Sequence, residues 1–357
     1  MQYIPYPEWL KPEIIPGLPF RWYGMMYLVA FVITYYLFMR QVKQRKLNIS
    51  SDLAVNFFFW TIIGVLVGAR IFATTIYDTK HTFLHEPWLI FWPFDKDWNF
   101  TGLQGMSFHG GVVGAVTAVI IFCRVKKIEF LEWGDMLVHA IPLGYTFGRL
   151  GNFINGELYG KVSDAPWAIL FPNARRIDAT KDWVSDFITR TGFSISDGAG
   201  LINLPRHPSQ LYEALLEGVV LWLILWFLVR PRRPFKGFSI SMYMIGYSVF
   251  RFFIEYVREP DDGLNYVIML GPQNNPPELF MSFLNFSTGQ ILSAFMVLGG
   301  LIAMLFFYRR SKMRPKAEYF DTTNSNKPEG DWGAPRMPTP EEIEKKKQRR
   351  KIHKKLR

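Results

Sequence analysis

The chain has one cysteine, Cys123, in 357 residues, and only six histidines. A lone thiol cannot build a disulfide framework, and no spacing of His, Cys and carboxylate suggests a metal site. Neither metal nor cofactor is expected. The first twenty residues lack the basic start of a cleavable signal peptide, and the first apolar segment is too long for a signal h-region and offers no small-residue cleavage site. No part of the chain repeats another. The polar run at 148–160 has no second copy, which argues against the duplicated halves usual in transporters. Acids are scarce beside bases, 30 against 41, for a formal net charge of +11.

What is present is apolar length. Hydrophobic residues, 49% of the chain, gather into segments long enough to cross a bilayer core. They predict seven spans, at 21–39, 53–77, 107–123, 135–155, 208–229, 237–257 and 286–308. Loop charge sets the orientation. Arg40, Lys43, Arg45 and Lys46 follow the first span, Arg124, Lys126 and Lys127 the third, Arg230, Arg232, Arg233 and Lys236 the fifth, and Arg309, Arg310 and Lys312 the seventh. Every second loop is basic, which puts those loops in the cytoplasm and the N-terminus outside. The expected fold is therefore an all-α integral membrane protein with seven transmembrane helices.

Four regions flank or interrupt that domain, which is read as 21–310. Residues 1–20, with Tyr3, Tyr6 and Trp9, read as an interfacial leader on the periplasmic face. The insertion 156–206 is too long for a plain connection and reads as a small folded periplasmic head. The loop 78–104 carries Trp88, Trp92 and Trp98, which fits an aromatic belt at headgroup depth. From Arg309 onward sixteen basic residues stand against seven acidic ones, and prolines interrupt the approach to the last basic block. The segment 311–357 is expected to be a disordered basic cytoplasmic tail drawn to anionic headgroups, with no nucleic acid partner. Gly64/Gly68, Gly110/Gly114 and Gly144/Gly148 fall four apart, where missing side chains let helices approach closely.

The chemistry concentrates at the outward ends of the spans. Residues 148–160, GRLGNFINGELYG, follow directly on an apolar helix. A guanidinium at the centre of such a helix costs about 2.5–3.5 kcal/mol, so Arg149 is expected to line a wet cavity or meet an anion. A snorkelling interfacial arginine is the plainer alternative. On a helix Arg149, Asn152 and Gly156 share one face. Tyr247, Arg251, Glu255 and Arg258 form a second polar stripe, on span six, within which Arg251 and Glu255 are spaced to pair. Tyr23 opens span one, His109 opens span three beside Gly110 and Gly111, and His207 opens span five. Gln210, Glu213 and Glu217 continue a polar face inward and read as hydrogen-bonding support.

The run Gly-Arg-x-Gly-Asn-Phe-x-Asn-x-Glu, closed by Gly160, resembles the signature of the prolipoprotein diacylglyceryl transferases. Four further stretches are similar to that family: Trp22-Tyr23-Gly24, Met106-Ser-Phe-His109-Gly-Gly111, Arg206-His-Pro-Ser-Gln-Leu-Tyr-Glu213, and Tyr247 with Phe250-Arg251, Glu255 and Arg258. The resemblance spans roughly 20–310 in the expected order. Arg21 departs from it, since some members carry histidine there, and the basic tail is an addition.

The resemblance implies a multi-pass enzyme of the bacterial inner membrane that moves diacylglycerol from phosphatidylglycerol to the lipobox cysteine of a prolipoprotein. That is the first step of lipoprotein maturation, and its partners are phosphatidylglycerol, the prolipoprotein signal peptide and membrane lipids. Such a reaction needs a thiolate, from a thiol of reference pKa about 8.5, and cations for the departing phosphate. On that basis Arg149 and Arg251 clamp the phosphate, Asn152 and Tyr23 hydrogen-bond the headgroup, and His109 is the base. Tyr247 and Glu157 position the others, while Gly160, Glu255 and Arg258 complete the substrate site. The rivals are a lipid flippase using the same cavity and a receptor using the insertion as its binding surface.

Overall fold

The computed structural model describes residues 3–15, 21–76, 86–92, 94, 98, 105–193, 200–260, 265–272 and 276–312. The expected tail, past Lys312, and most of the expected aromatic loop 78–104 lie outside the described residues. The described chain is mostly helical: α1 (Trp22–Arg45), α2 (Ser51–Thr75), α3 (Phe108–Val125), α4 (Phe130–Val138), α5 (Ile141–Asn155), α6 (Asp182–Thr191), α7 (Ser209–Arg232), α8 (Phe238–Ile254) and α9 (Thr288–Lys312). Five of these, α1, α2, α3, α7 and α9, are long and apolar enough to cross a membrane. Their outer faces carry large apolar side chains such as Val32, Phe59, Phe227, Phe295 and Ile302, more than half exposed. Lipid is the solvent those faces suit.

Two of the expected spans come out differently. The fourth, expected as one helix over 135–155, is two helices broken at His139–Ala140. Pro142 lacks an N–H, and its ring collides with the carbonyl four residues back, so one ladder cannot run through. The sixth is a helix of only 17 residues.

The chain divides into two units, Met1–Phe38 with Gly134–Met313, and Met39–Trp133. In the second unit α2 lies against α3. A Cβ on Gly64 or Gly68 would strike the backbone of Gly114 or Gly110, and the converse holds. Lipid tails give no hydrophobic drive for helix pairing, so close backbone contact at small residues supplies it instead. Phe57 packs edge-on to Trp133 and Phe122, and Arg45 pairs with Glu132.

In the first unit α5 packs on α7, and α8 on both α7 and α9. Leu221, Leu225 and Val229 of α7 are buried against Met242, Tyr243 and Phe250 of α8. Most of α7 is wound wide, with π-helical turns at Ala214–Val220 and Ile224–Val229. Such widening is frequent where a helix carries function. The insertion has its own core of Val162, Ile177, Val184, Phe187, Ile202 and Leu204, with α6 against the paired strands β3 (Ile177–Asp178) and β4 (Leu201–Ile202). The leader is tied to it: β1 (Ile4–Pro5) runs parallel to β2 (Ile169–Leu170), and Tyr6 donates to the carbonyls of Phe153 and Ile154 at the end of α5. Burial pushes the Tyr6 phenol up to about 12. The described leader is thus strapped to protein, although Trp9 remains 80% exposed.

Candidate active site

The polar groups of the first unit converge on a carboxylate, Glu213, whose side chain is 0% exposed. Arg149 Nε lies 2.8 Å from its Oε2, Arg251 Nη1 3.6 Å from its Oε1, and Arg258 Nε 3.7 Å from the same oxygen. Both α5 and α8 therefore bring a guanidinium to one point on α7. Arg251 also reaches Glu217, at 4.0 Å, and Glu255, at 2.9 Å. Three guanidiniums face three buried carboxylates at one end of the bundle. Removing one partner from such a buried cluster typically costs about 3–5 kcal/mol, because the other charge is left uncompensated.

Local structure explains how each group arrives. Tyr145 precedes Arg149 by one helical turn; Arg149 Nε donates to its hydroxyl at 2.6 Å, and that hydroxyl donates to Glu217. Gly218 sits inside the first wide turn of α7, where a Cβ would overlap Thr146 of α5. Its missing side chain lets the Tyr145–Arg149 face close on Glu213 and Glu217. Helix α5 stops at Asn155, because Gly156 takes a left-handed conformation, φ +66°. Gly156 is consequently not on the helix face expected for it; it turns the chain so that Glu157 comes back to accept from Asn152 Nδ2 at 2.9 Å. Asn152 Oδ1 in turn lies 3.5 Å from Arg149 Nη1. Gln210, at the start of α7, donates to the Glu157 carbonyl, as a supporting residue should.

The remaining expected residues are placed as follows. Tyr23 packs beside Gly151 on α5, bonds Tyr27 at 3.0 Å, and lies within electrostatic reach of Arg149 and Glu157. Tyr247 sets its ring edge-on to Tyr145. Glu255 accepts from Ser287, just before α9. Gly160 is a close-approach glycine: its N–H bonds the His207 carbonyl, it bridges Arg258, and a Cβ there would lie 2.8 Å from that same carbonyl oxygen. His207 bonds Tyr212, and burial lowers its pKa below the usual histidine range.

His109 belongs to the second unit, exposed in the first turn of α3, its ring edge-on to Phe108. Ser107 rather than His109 caps that helix, accepting from the Gly110 N–H. Gly110 and Gly111, beside His109 in the sequence, would be expected to leave room there for lipid to approach; the structure corrects that. Both are buried, and Gly110 packs on Gly68 and Phe72 of α2. Glu213 and Tyr145 were the undervalued residues. An acid in an apolar helix needs a cation as surely as an arginine there needs an anion, and that signal pointed to Glu213. Tyr145 gave no such sign.

Five helices long and apolar enough to cross a membrane, with an arginine–carboxylate cluster at the ends of apolar helices, define a helical integral membrane protein. The model of the prolipoprotein diacylglyceryl transferase family matches residues 13–306, and the chain belongs to that family. It is 49% identical over 325 residues to the phosphatidylglycerol–prolipoprotein diacylglyceryl transferase of Treponema denticola, covering 87% of this chain and 96% of that protein. The Treponema pallidum protein of the same name is 46% identical, over 87% and 98% of the two chains. The Chlorobaculum tepidum one is 38% identical, over 86% and 93%.

Proposed function

We infer that the chain transfers the diacylglyceryl group of phosphatidylglycerol to the lipobox cysteine of prolipoproteins. The observation that carries this reading is the meeting of Arg149 and Arg251 on one buried carboxylate, within a family whose named relatives are such transferases. In the reaction the cysteine sulfur bonds to a glycerol carbon as that carbon's bond to the phosphate oxygen breaks. The electron pair leaves on oxygen, releasing glycerol phosphate, and the thiol proton passes to a base. Growing phosphate charge is best stabilised by fixed, planar guanidiniums. Glu213 pre-aims both arginines. Among the described residues Arg149 Nη2 makes no hydrogen bond, which leaves that donor for a ligand oxygen.

Asn152 and Tyr23 hold the headgroup, Glu157 fixes Asn152, and Tyr247 backs Tyr145. Glu255 holds Arg251 and Arg258 joins the substrate site, while Gly160 brings the Arg258 backbone in. His109 takes the thiol proton. The chain crosses the inner membrane seven times, with α4–α5 as a broken span and α8, rising about 25 Å, as a short one. The basic loops and tail lie in the cytoplasm, and the cluster and the folded insertion face the periplasm.

The decisive experiment incubates the purified protein in phosphatidylglycerol vesicles with a lipobox peptide. A thioether lipid on the cysteine and equimolar glycerol phosphate are expected; lipid movement without covalent product would instead make it a flippase. His109→Gln is expected to lower kcat by about 10²-fold or more, the usual contribution of a positioned base, with partial recovery as pH raises the thiolate fraction. A wild-type rate in that variant removes the base assignment.

A further inference from the structure

Tyr145 touches both sides of the arginine–carboxylate cluster, and the reaction above assigns it no part. Its hydroxyl carries one proton, which goes to Glu217 Oε2. The same oxygen accepts from Arg149 Nε at 2.6 Å, and the guanidinium carbon lies 4.8 Å from the centre of the Tyr145 ring. Glu213 Oε2 also lies 2.8 Å from Nε. Both holds on Arg149 therefore fall on Nε, where the guanidinium joins its stem. Among the described residues Nη1 has only the 3.5 Å contact with Asn152.

The hydroxyl also stands between two groups that attract each other. Among the described residues Arg149 forms its ion pair with Glu213, and Glu217 meets it only through the phenol. The Glu217 side chain is 0% exposed, its Oε1 makes no hydrogen bond among the described residues, and Arg251 stands 4.0 Å from that atom. The Tyr145 proton is thus what satisfies this carboxylate. Without it, a buried charge would draw on the nearest cation, and Arg149 is one hydroxyl away. Tyr145 has little freedom to move aside. Tyr247 sets its ring edge-on at 6.1 Å and is itself stacked on Tyr243 at 6.0 Å. Its neighbour on α5, Thr146, bonds the Ala214 carbonyl of α7 at 3.3 Å.

We propose that Tyr145 is a positioning residue: its hydroxyl occupies Glu217 and holds Arg149 by Nε, so that the two Nη groups stay available to the phosphate instead of closing on a second acid. This rests on the transferase reading. The test measures thioether formation on a lipobox peptide in phosphatidylglycerol vesicles for wild type, Tyr145→Phe, Glu217→Gln and the double variant, each checked for folding by circular dichroism. Tyr145→Phe keeps the ring and frees Glu217, and kcat is expected to fall about 10²-fold, the scale of a misplaced catalytic group. KM for phosphatidylglycerol stays within about threefold, because charge grows on the phosphate only towards the transition state. The double variant is expected to run about tenfold or more faster than Tyr145→Phe, since a neutral amide gives Arg149 no second anion to close on. A tyrosine that served packing alone would give the reverse, with the two losses adding. A wild-type kcat in Tyr145→Phe, a loss carried by KM alone, or a double variant no faster than Tyr145→Phe overturns the role of Tyr145. Should Tyr145→Phe fail to fold, the double variant is set against Glu217→Gln: a rate within about threefold supports the role, and a larger deficit overturns it. A wild-type protein that forms no thioether sinks the transferase reading instead.

Discussion

Helix α8 meets a buried acid at each end, and the two ends are built on opposite terms. At its start Asp135, 0% exposed, accepts from the backbone N–H groups of Gly237 at 2.8 Å and Ile240 at 3.0 Å and from Arg233 at 3.2 Å. Two of these contacts are to backbone N–H groups that a helix N-terminus leaves open, as its dipole favours. At its far end Glu213 is equally buried but faces three guanidiniums, two of them beyond hydrogen-bond distance at 3.6 and 3.7 Å. The first acid is saturated and serves stability. The second is crowded by cations: Arg149 closes on it at 2.8 Å, while Arg251 and Arg258 stand near it without closing.

That contrast can be broken most forcefully at the crowded end. Arg149→Ala and Arg251→Ala are each expected to reduce kcat by about 10²–10³-fold, the usual loss when one donor to a developing oxyanion is removed. Both should remain folded by circular dichroism; full turnover in either ends the clamp. Next come the two acids, compared directly. Glu213→Gln is expected to lower both the unfolding midpoint and the rate, since three arginines lose their common anion. Asp135→Asn is expected to lower stability by about 1–3 kcal/mol, the range for an unsatisfied buried hydrogen-bonding group, with the rate per folded molecule unchanged. Equal rate losses in the two variants would erase the distinction. The smallest effects belong to the glycines that set the helices. Gly218→Ala should cost about 1–3 kcal/mol in denaturant melts, because the new methyl overlaps Thr146. Gly148→Ala should stay within about 0.5 kcal/mol, as nothing lies within 4 Å of its Cβ position.

Gly144 and Gly148 show where reading a pattern stops. Both fit the small-residue spacing, yet only Gly144 touches a neighbour, at Ala30 and Thr34. Spacing names a helix face without saying what approaches it. Arg149, Arg251 and Glu255 were legible because charge in an apolar segment stands out whatever surrounds it. The Arg251–Glu255 pair was legible too, being local, one turn apart on one helix. The break before Pro142 was written in the chain but lost within a long apolar run. Glu213 was visible as a buried acid but not as the meeting point, since its three partners come from residues 64, 38 and 45 positions away.

Composition and order of residues alone decided that this chain enters a membrane, how its basic loops alternate, and which guanidiniums must find an anion. Each follows from the energy of one group in hydrocarbon, which needs no partner to be evaluated. Tertiary structure alone decided which carboxylate collects the arginines and how Gly156 folds Glu157 back onto Asn152. Those outcomes depend on distances between segments far apart in the chain, and these are set by where glycines allow backbones to touch.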